Sequence, residues 1–147
     1  MKILILSDSH YKDIDIKNKY DYIFHLGDYG NSLDYLENNN IIYVKGNCDY
    51  YGDKDRIIEI NNKKIFLTHG DKYRVKESYN SIYYKALSIN SNIVLFGHTH
   101  YQTVFIENNI LFINPGAYKD GYYVIIDDNY INLYSDDYLI KRIDYRW

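Results

Sequence analysis

The order of apolar and polar positions in the first half of the chain predicts alternating strands and helices. Apolar runs at 2–6, 22–25 and 41–45 have the length and composition of buried strands. A weak segment at 12–19 and a short helix near 32–37 separate these runs. The resulting βαβαβ order predicts a parallel sheet with right-handed crossovers.

The pattern in the second half changes to pairs of strands joined by short polar turns. Asparagine and aspartate tolerate positive φ, so Asn-Asn and Asp-Asp-Asn connections between apolar runs predict tight hairpins. One helix is predicted at 73–88, where apolar residues recur at helical spacing, and a buried run follows at 93–96. The expected result is two packed sheets of mixed direction with helices outside, in which the hairpins pair 56–60 with 63–68, 103–107 with 110–114, and 122–126 with 130–134.

The composition indicates one globular domain over residues 1–147, with 46% apolar and 25% charged residues. A net charge of −3 disfavours a nucleic-acid partner, because a polyanion needs a broad basic face. The first apolar run is too short for a signal peptide, and no run approaches the ~20 residues of a membrane span. We therefore expect a cytoplasmic protein without a membrane partner. The single cysteine, Cys48, excludes an intrachain disulfide.

Five apolar runs end in a short polar cluster that contains histidine, aspartate or asparagine. Any one cluster is also explained by a polar turn or a core histidine, but five such coincidences favour a common role. Because the carboxyl ends of parallel strands meet at one edge of a sheet, these clusters are expected at one rim. The clusters are Asp8-Ser9-His10, Gly27-Asp28, Gly46-Asn47-Cys48-Asp49, Thr68-His69-Gly70 and Gly97-His98-Thr99-His100.

The side chains in these clusters are the ligand types of a divalent metal site. Mixed nitrogen and oxygen ligands suit Mn²⁺, Fe²⁺, Ni²⁺ or Zn²⁺ better than Mg²⁺ or Ca²⁺. Seven ligands exceed the need of one tetrahedral ion and suffice for two ions that share a carboxylate. Two ions about 3.5–4 Å apart favour displacement at phosphorus and acidify the water held between them to hydroxide. The candidate ligands are Asp8, His10, Asp28, Asn47, His69, His98 and His100.

The order of these motifs resembles that of the calcineurin-like metallophosphoesterase superfamily, and within it the small YfcE-type phosphodiesterase branch. The resemblance covers essentially the whole chain and implies a four-layer α/β/β/α sandwich of two mixed β-sheets. It also implies that Asp28 bridges two metal ions. The other ligands implied are Asp8, His10 and His100 for the first ion, and Asn47, His69 and His98 for the second.

The function that this resemblance implies is dinuclear, metal-dependent hydrolysis of small-molecule phosphodiesters through a metal-bridging hydroxide. The expected catalytic residues are Asp28, Asn47 and His98, and Mn²⁺ is the preferred ion, with Ni²⁺, Fe²⁺ and Zn²⁺ as alternatives. Two other functions stay open: a phosphomonoesterase or nuclease of the same superfamily, and a catalytically weak scaffold similar to the retromer vacuolar sorting subunit. A homodimer is also an expectation, because tyrosine-rich edges favour association.

The chain departs from related motifs at several positions. Cys48 stands where nuclease and protein-phosphatase branches carry a proton-donating histidine, and a thiol is a poor acid, so we expect inert packing there. Asp49 is expected to steady the site. Asp71 is expected either to orient an imidazole or, with slight preference, to cap a helix. Only 17 residues separate His10 from Asp28, which predicts a shortened first crossover.

One histidine falls outside the ligand set. His25 lies in the second predicted strand, and we expect a structural role in the core for it rather than ligation.

Overall fold

The computed structural model describes residues 1–16, 18–30 and 33–147, and these form eleven strands, two α-helices and two short 3-10 helices. The predicted segment at 12–19 and the start of the helix predicted near 32–37 fall partly on residues outside these ranges. The elements are β1 Ile3–Leu6, β2 Tyr22–His25, α1 Leu33–Asn38, β3 Ile41–Tyr43, β4 Asp55–Ile60, β5 Lys63–Thr68, 3-10 helix Asp71–Tyr73, α2 Asn80–Ser88, β6 Ile93–Leu95, β7 Thr103–Glu107, β8 Ile110–Asn114, 3-10 helix Tyr118–Asp120, β9 Tyr122–Ile126, β10 Tyr130–Ser135 and β11 Tyr138–Asp144.

The strands form two mixed sheets. The six-stranded sheet has the order β11-β10-β9-β1-β2-β3, in which β1, β2 and β3 are parallel and β9 joins β1 antiparallel. The five-stranded sheet has the order β4-β5-β6-β8-β7, in which β5, β6 and β8 are parallel. The prediction of two sheets with both parallel and antiparallel strands is therefore confirmed.

The core lies between the sheets, with a smaller apolar layer on each outer face. Strand β1 shows how one apolar run serves two layers, because successive side chains point to opposite faces. Ile3 and Ile5 face the core between the sheets, whereas Leu4 packs with Leu36 of α1 outside the first sheet. Helix α2 covers the outer face of the second sheet through Ile82. These layers confirm the α/β/β/α sandwich.

Two features differ from the sequence-based expectations. The helix predicted at 73–88 begins only at Asn80, because Arg74 adopts a left-handed backbone with φ of 53° and ends the preceding 3-10 helix. Strand β11 was not predicted, because its side chains are mostly exposed and show no alternation of apolar and polar positions. Among the described residues, no helix is long and apolar enough to cross a membrane.

Candidate metal centre

All seven candidate ligands lie in loops that follow the carboxyl ends of five strands. Asp8 and His10 follow β1, Asp28 follows β2 and Asn47 follows β3, all in the first sheet. The loops after β5 and β6 of the second sheet supply His69, His98 and His100. Backbone hydrogen bonds join the loops in pairs, from Asp8 N–H to the Gly27 carbonyl at 2.9 Å and from Gly97 N–H to the His69 carbonyl at 2.9 Å. Each of these bonds lies within one sheet, and the His98 N–H connects the two sheets by donating to Asp8 Oδ2 at 3.1 Å, so the loops meet at one rim.

One group of side chains combines Asp8, His10 and His100, whose ligand atoms all lie within 4.8 Å of one another. Oδ1 of Asp8 lies 3.1 Å from His100 Nε2 and 3.7 Å from His10 Nε2. The Asp8 carboxylate is fully buried, whereas the two imidazoles are partly exposed. The group is therefore open on its histidine side.

A second group combines Asp28, His69 and His98. His69 Nε2 lies 3.2 Å from Asp28 Oδ2 and 3.2 Å from His98 Nδ1. His69 is fully buried, and His98 is partly exposed at the edge.

Asp28 lies between the two groups. Its Oδ2 atom faces His69 Nε2 at 3.2 Å and His10 Nε2 at 3.7 Å, although the two histidines belong to different groups. Its Oδ1 atom accepts the Cys48 backbone N–H at 2.8 Å. One carboxylate oxygen is thus directed at both groups while the other is held by the backbone.

The donor atoms fit divalent cations. His69 Nδ1 donates to the Leu26 carbonyl at 2.7 Å, because that oxygen can only accept, and in the neutral ring Nε2 then carries a lone pair directed at Asp28 and Asp8. Lone pairs that face carboxylates repel unless a proton or a cation lies between them. His10 Nε2 is also buried and finds no hydrogen-bond partner in the part of the chain that the structure describes.

The charges of the site shift the pKa of several groups. Burial opposes ionisation of Asp28, but the hydrogen bond and charge of His69 outweigh it and lower the pKa of Asp28 to about 2. Burial likewise opposes protonation of His69, yet Asp28 and Asp8 raise its pKa. Desolvation, followed by the charge of His69, lowers the pKa of His98. Asp28 is therefore the constantly ionised centre of the cluster.

Asn47 is exposed in the loop after β3. Its side-chain nitrogen lies 3.7 Å from Cys48 Sγ. Both of its neighbours approach Asp28: a Cβ added to Gly46 would lie 2.1 Å from Asp28 Oδ1, and Cys48 donates its backbone N–H to the same atom. The loop therefore runs against Asp28 on both sides of Asn47, and only glycine fits at position 46.

Asp49 joins the loop after β2 to the loop after β3. Its Oδ2 accepts the N–H groups of Asp28 at 2.7 Å and Gly46 at 2.8 Å, and its Oδ1 accepts the N–H of Tyr29 at 3.2 Å. Asp49 thus acts on the geometry of Asp28 through the backbone.

Asp71 opens the short 3-10 helix after His69. The residue that caps this helix is Gly70, without a side-chain cap, so the N-cap interpretation of Asp71 is wrong. The negative charge of Asp71 opposes part of the lowering of the His98 pKa, which places Asp71 near that imidazole.

His25 agrees with the sequence-based prediction, whereas Cys48 does not. His25 is fully buried and bonded on both ring nitrogens, to Ser9 Oγ at 2.8 Å and to the Gly27 N–H at 3.2 Å, which confirms a core histidine. Cys48 is exposed, so the expectation of packing is wrong. Its Sγ lies within 4.8 Å of ligand atoms of His10 and Asp28, at the border of the cluster.

Two supporting residues were missed by the sequence analysis. Ser7 Oγ donates a short hydrogen bond to Asp8 Oδ2, which also accepts the backbone N–H of His98 at 3.1 Å. Asn114 Nδ2 donates to the Gly97 carbonyl at 3.1 Å and to Thr99 Oγ1 at 2.8 Å, and so holds the loop that carries His98 and His100. The available signal was a polar residue at the carboxyl end of the buried strand β8.

The backbone at the cluster is unusual as a group. Positive φ is uncommon outside glycine and concentrates at functional sites. Five of the seven candidate ligands nevertheless adopt it, with values between 43° and 70°: Asp8, His10, Asp28, His98 and His100.

Comparison with known proteins assigns the chain to a family. The model of the calcineurin-like phosphoesterase superfamily domain matches residues 1–125. The probable metallophosphoesterase YsnB of Bacillus subtilis is 30% identical over 128 residues, covering 81% of this chain and 76% of that protein. The phosphodiesterase MJ0936 of Methanocaldococcus jannaschii is 31% identical over 150 residues, covering 79% and 83%.

Solved structures agree with this assignment. A predicted phosphoesterase from Streptococcus pneumoniae has a TM-score of 0.83 at 28% identity, over 98% of this chain and 97% of that chain. The phosphoesterase YfcE of E. coli has a TM-score of 0.69 at 21% identity, over 98% and 99%. Vps29 of Entamoeba histolytica, solved with zinc, has a TM-score of 0.80 at 18% identity, over 98% and 99%. The last two comparisons show a shared fold.

Proposed function

The chain belongs to the calcineurin-like phosphoesterase superfamily, and from this membership we propose that it hydrolyses phosphodiesters with two divalent metal ions. The observation that carries the proposal is Asp28, whose Oδ2 atom faces one histidine of each group, at 3.2 Å and 3.7 Å. A carboxylate in that position is suited to two ions at once. Relatives named metallophosphoesterase and phosphodiesterase support the hydrolase class.

Each group supplies the ligands of one ion in this proposal. Asp28 would be shared between the ions. With the partly exposed His98 and the exposed Asn47, it would border the face that a phosphate reaches from solvent. Asp8, His10 and His100 would hold one ion, and His69 and His98 would hold the other. By its resemblance to the family motif, Asn47 would join the second set.

The mixed nitrogen and oxygen donors favour Mn²⁺, with Ni²⁺, Fe²⁺ and Zn²⁺ as alternatives. Bound ions of this kind polarise phosphoryl oxygens and lower the pKa of water. The protein fixes its ligands beforehand: the Leu26 carbonyl orients the His69 ring, and the Cys48 N–H holds Asp28. The exposure of His98 and Asn47 supports a role for both in contacting the phosphoryl group of the substrate.

No imidazole occupies position 48, so the departing oxygen lacks that proton donor. Such a site favours substrates whose leaving group is already a weak base, because acid assistance otherwise contributes about 10²–10⁴-fold. The relative named phosphodiesterase supports a phosphodiesterase over the phosphomonoesterase or nuclease alternative. The scaffold alternative draws on a shared fold with Vps29, but competent ligand types at all seven positions favour an enzyme.

The test is metal analysis of the purified protein combined with hydrolysis of bis(4-nitrophenyl) phosphate. We expect two equivalents of divalent metal, loss of hydrolysis with a strong chelator, and best recovery with Mn²⁺. Undiminished hydrolysis by metal-free protein would overturn the proposal, and so would a purified protein that binds no divalent ion.

A further inference from the structure

A pocket of about 330 Å³ adjoins the ligand cluster on the side of the loops after β1, β2 and β3. This volume is at the small end of ligand sites and admits one substituent of a small ester. The pocket shares His10, Asp28 and Cys48 with the cluster. A group attached to a phosphate at the cluster therefore extends directly into it.

The walls of this pocket are aromatic. Three tyrosines that line it are among the most exposed apolar side chains of the described residues: Tyr11 at 81%, Tyr50 at 89% and Tyr51 at 65%. Tyr29 lies behind them and is buried, and its hydroxyl already donates to the Tyr51 carbonyl at 2.7 Å. Leu33 adds an apolar contact. Exposed rings gathered at one cavity are typical of a binding surface rather than of scattered surface residues.

The charges of the pocket limit what it accepts. Among the described residues that line it there is no lysine or arginine, so a second phosphate would lack a counter-charge. Of its three carboxylates, Asp49 is bonded to backbone N–H groups, Asp28 belongs to the cluster, and Asp34 is exposed to water on α1. A cation would therefore meet no carboxylate that is both buried and available. An uncharged ring can contact the tyrosine rings and Leu33 without needing a counter-charge.

We infer that the pocket bounded by Tyr11, Tyr50 and Tyr51 binds an uncharged aromatic ring of the substrate while the phosphodiester lies at the ligand cluster. This inference rests on the proposed function and adds a substrate class to it: phosphodiesters in which one substituent carries a neutral ring, as a nucleobase or an aryl group does. Stacking of a base on aromatic side chains is worth about 1–3 kcal/mol, which corresponds to about 5- to 150-fold in affinity.

The test uses three phosphonate esters whose variable group is attached through an uncleavable carbon–phosphorus bond. Methyl phenylphosphonate and methyl methylphosphonate have the same charge and differ in the ring, and methyl 2-(trimethylammonio)ethylphosphonate presents a cation. Calorimetry on the Mn²⁺-loaded protein gives the affinity of each. We expect the phenyl ester to bind about 5- to 150-fold more tightly than the methyl ester. Equal affinities, or tightest binding of the cationic ester, would overturn the inference.

Variants locate the ring preference. The Tyr50→Ala/Tyr51→Ala double variant should reduce the phenyl-to-methyl ratio toward one, whereas Tyr50→Phe/Tyr51→Phe should retain it. Tyr138→Ala, at a tyrosine of β11 that is 76% exposed and outside the pocket, is the matched control and should also retain it. A ratio unchanged by the double alanine variant would overturn the inference.

Metal content and chelator-sensitive hydrolysis, measured on the same samples, separate the two hypotheses. Absence of the ring preference in the wild-type protein at two metal equivalents overturns the inference about the pocket alone. Failure to bind metal and to hydrolyse overturns the proposed function.

Discussion

At the scale of single residues, Asp28 determines whether the two ligand groups act together. Asp28→Asn removes a charge that faces both His10 and His69, and it places an amide where the backbone N–H of Cys48 needs an acceptor. We expect loss of at least one metal equivalent. We also expect the rate of hydrolysis to fall by more than the 10–100-fold that is typical when a residue supporting a metal ligand is replaced. His25→Gln is the control and should retain both equivalents. Equal metal loss in the two variants would contradict the assignment of Asp28.

His25 makes stability depend on pH. Burial, with a smaller contribution from the charge of His69, lowers the pKa of His25 to about 3. Its Nδ1 accepts the Gly27 N–H, so protonation of Nδ1 would break this hydrogen bond. The unfolded chain binds that proton near pH 6.5, and the folded chain does so only near pH 3. The free energy of unfolding should therefore fall as pH drops through this window, by up to about 1.4 kcal/mol per unit.

Urea denaturation of the metal-free protein between pH 7 and pH 4 measures this effect. His25→Gln, which cannot titrate, should show a shallower fall than the wild type. Identical profiles for the two proteins would contradict the buried neutral histidine.

Substitution of Cys48 tests whether the thiol donates a proton to the leaving group. Partial desolvation and the charge of Asp28 raise the pKa of the thiol, which makes it a weaker acid still. Rates should therefore depend steeply on leaving-group pKa, with 4-nitrophenyl diesters far faster than alkyl diesters. Cys48→Ala should keep that slope. A slope that steepens in Cys48→Ala, at unchanged metal content, would show that the thiol donates the proton.

At the scale of elements, the loops after β2 and β3 depend on one carboxylate. Asp49 accepts N–H groups from both loops, and Asp49→Asn would direct an amide donor at some of them. An unsatisfied buried group costs about 1–3 kcal/mol. We expect that loss in the free energy of unfolding, with weaker metal binding. Asp53→Asn, in the neighbouring turn of the β3–β4 connection, is a surface control that should change stability by less than about 0.5 kcal/mol.

The strands and turns of this fold could be predicted where local chemistry decides them. Asn61 and Asn62 both adopt positive φ, as the hairpin prediction requires, and the continuous apolar run of β1 is buried on both faces. Strand β11 could not be predicted, because pairing with β10 rather than burial holds it. The left-handed turn at Arg74 was equally hidden, since nothing in an arginine favours that conformation.

The candidate site was predictable in composition but not in arrangement. The polar clusters and their order along the chain identified the seven candidate ligands. The sequence contains no signal that Asp28 Oδ2 faces His10 and His69 together, because β2, β1 and β5 meet only after the sheets pack. The exposure of Cys48 follows likewise from the loop that Asp49 holds.

At the scale of the whole molecule, the ligand cluster lies across two sheets that enclose a common apolar core. Asp8, His10 and Asp28 come from the first sheet, and His69 and His98 come from the second. Ions held by both sets bind the folded state and not the separated sheets, so they should stabilise the fold.

One bound ion contributes about 2.7 kcal/mol at a free concentration 100 times its Kd. We expect Mn²⁺ to raise the free energy of unfolding by at least that amount in urea titrations. Mg²⁺ at the same concentration should have a smaller effect, because it prefers oxygen ligands. Asp28→Asn should lose most of the Mn²⁺ effect, whereas Tyr138→Ala should keep it. Stabilisation that persists undiminished in Asp28→Asn would mean that the ions bind elsewhere and do not link the two sheets.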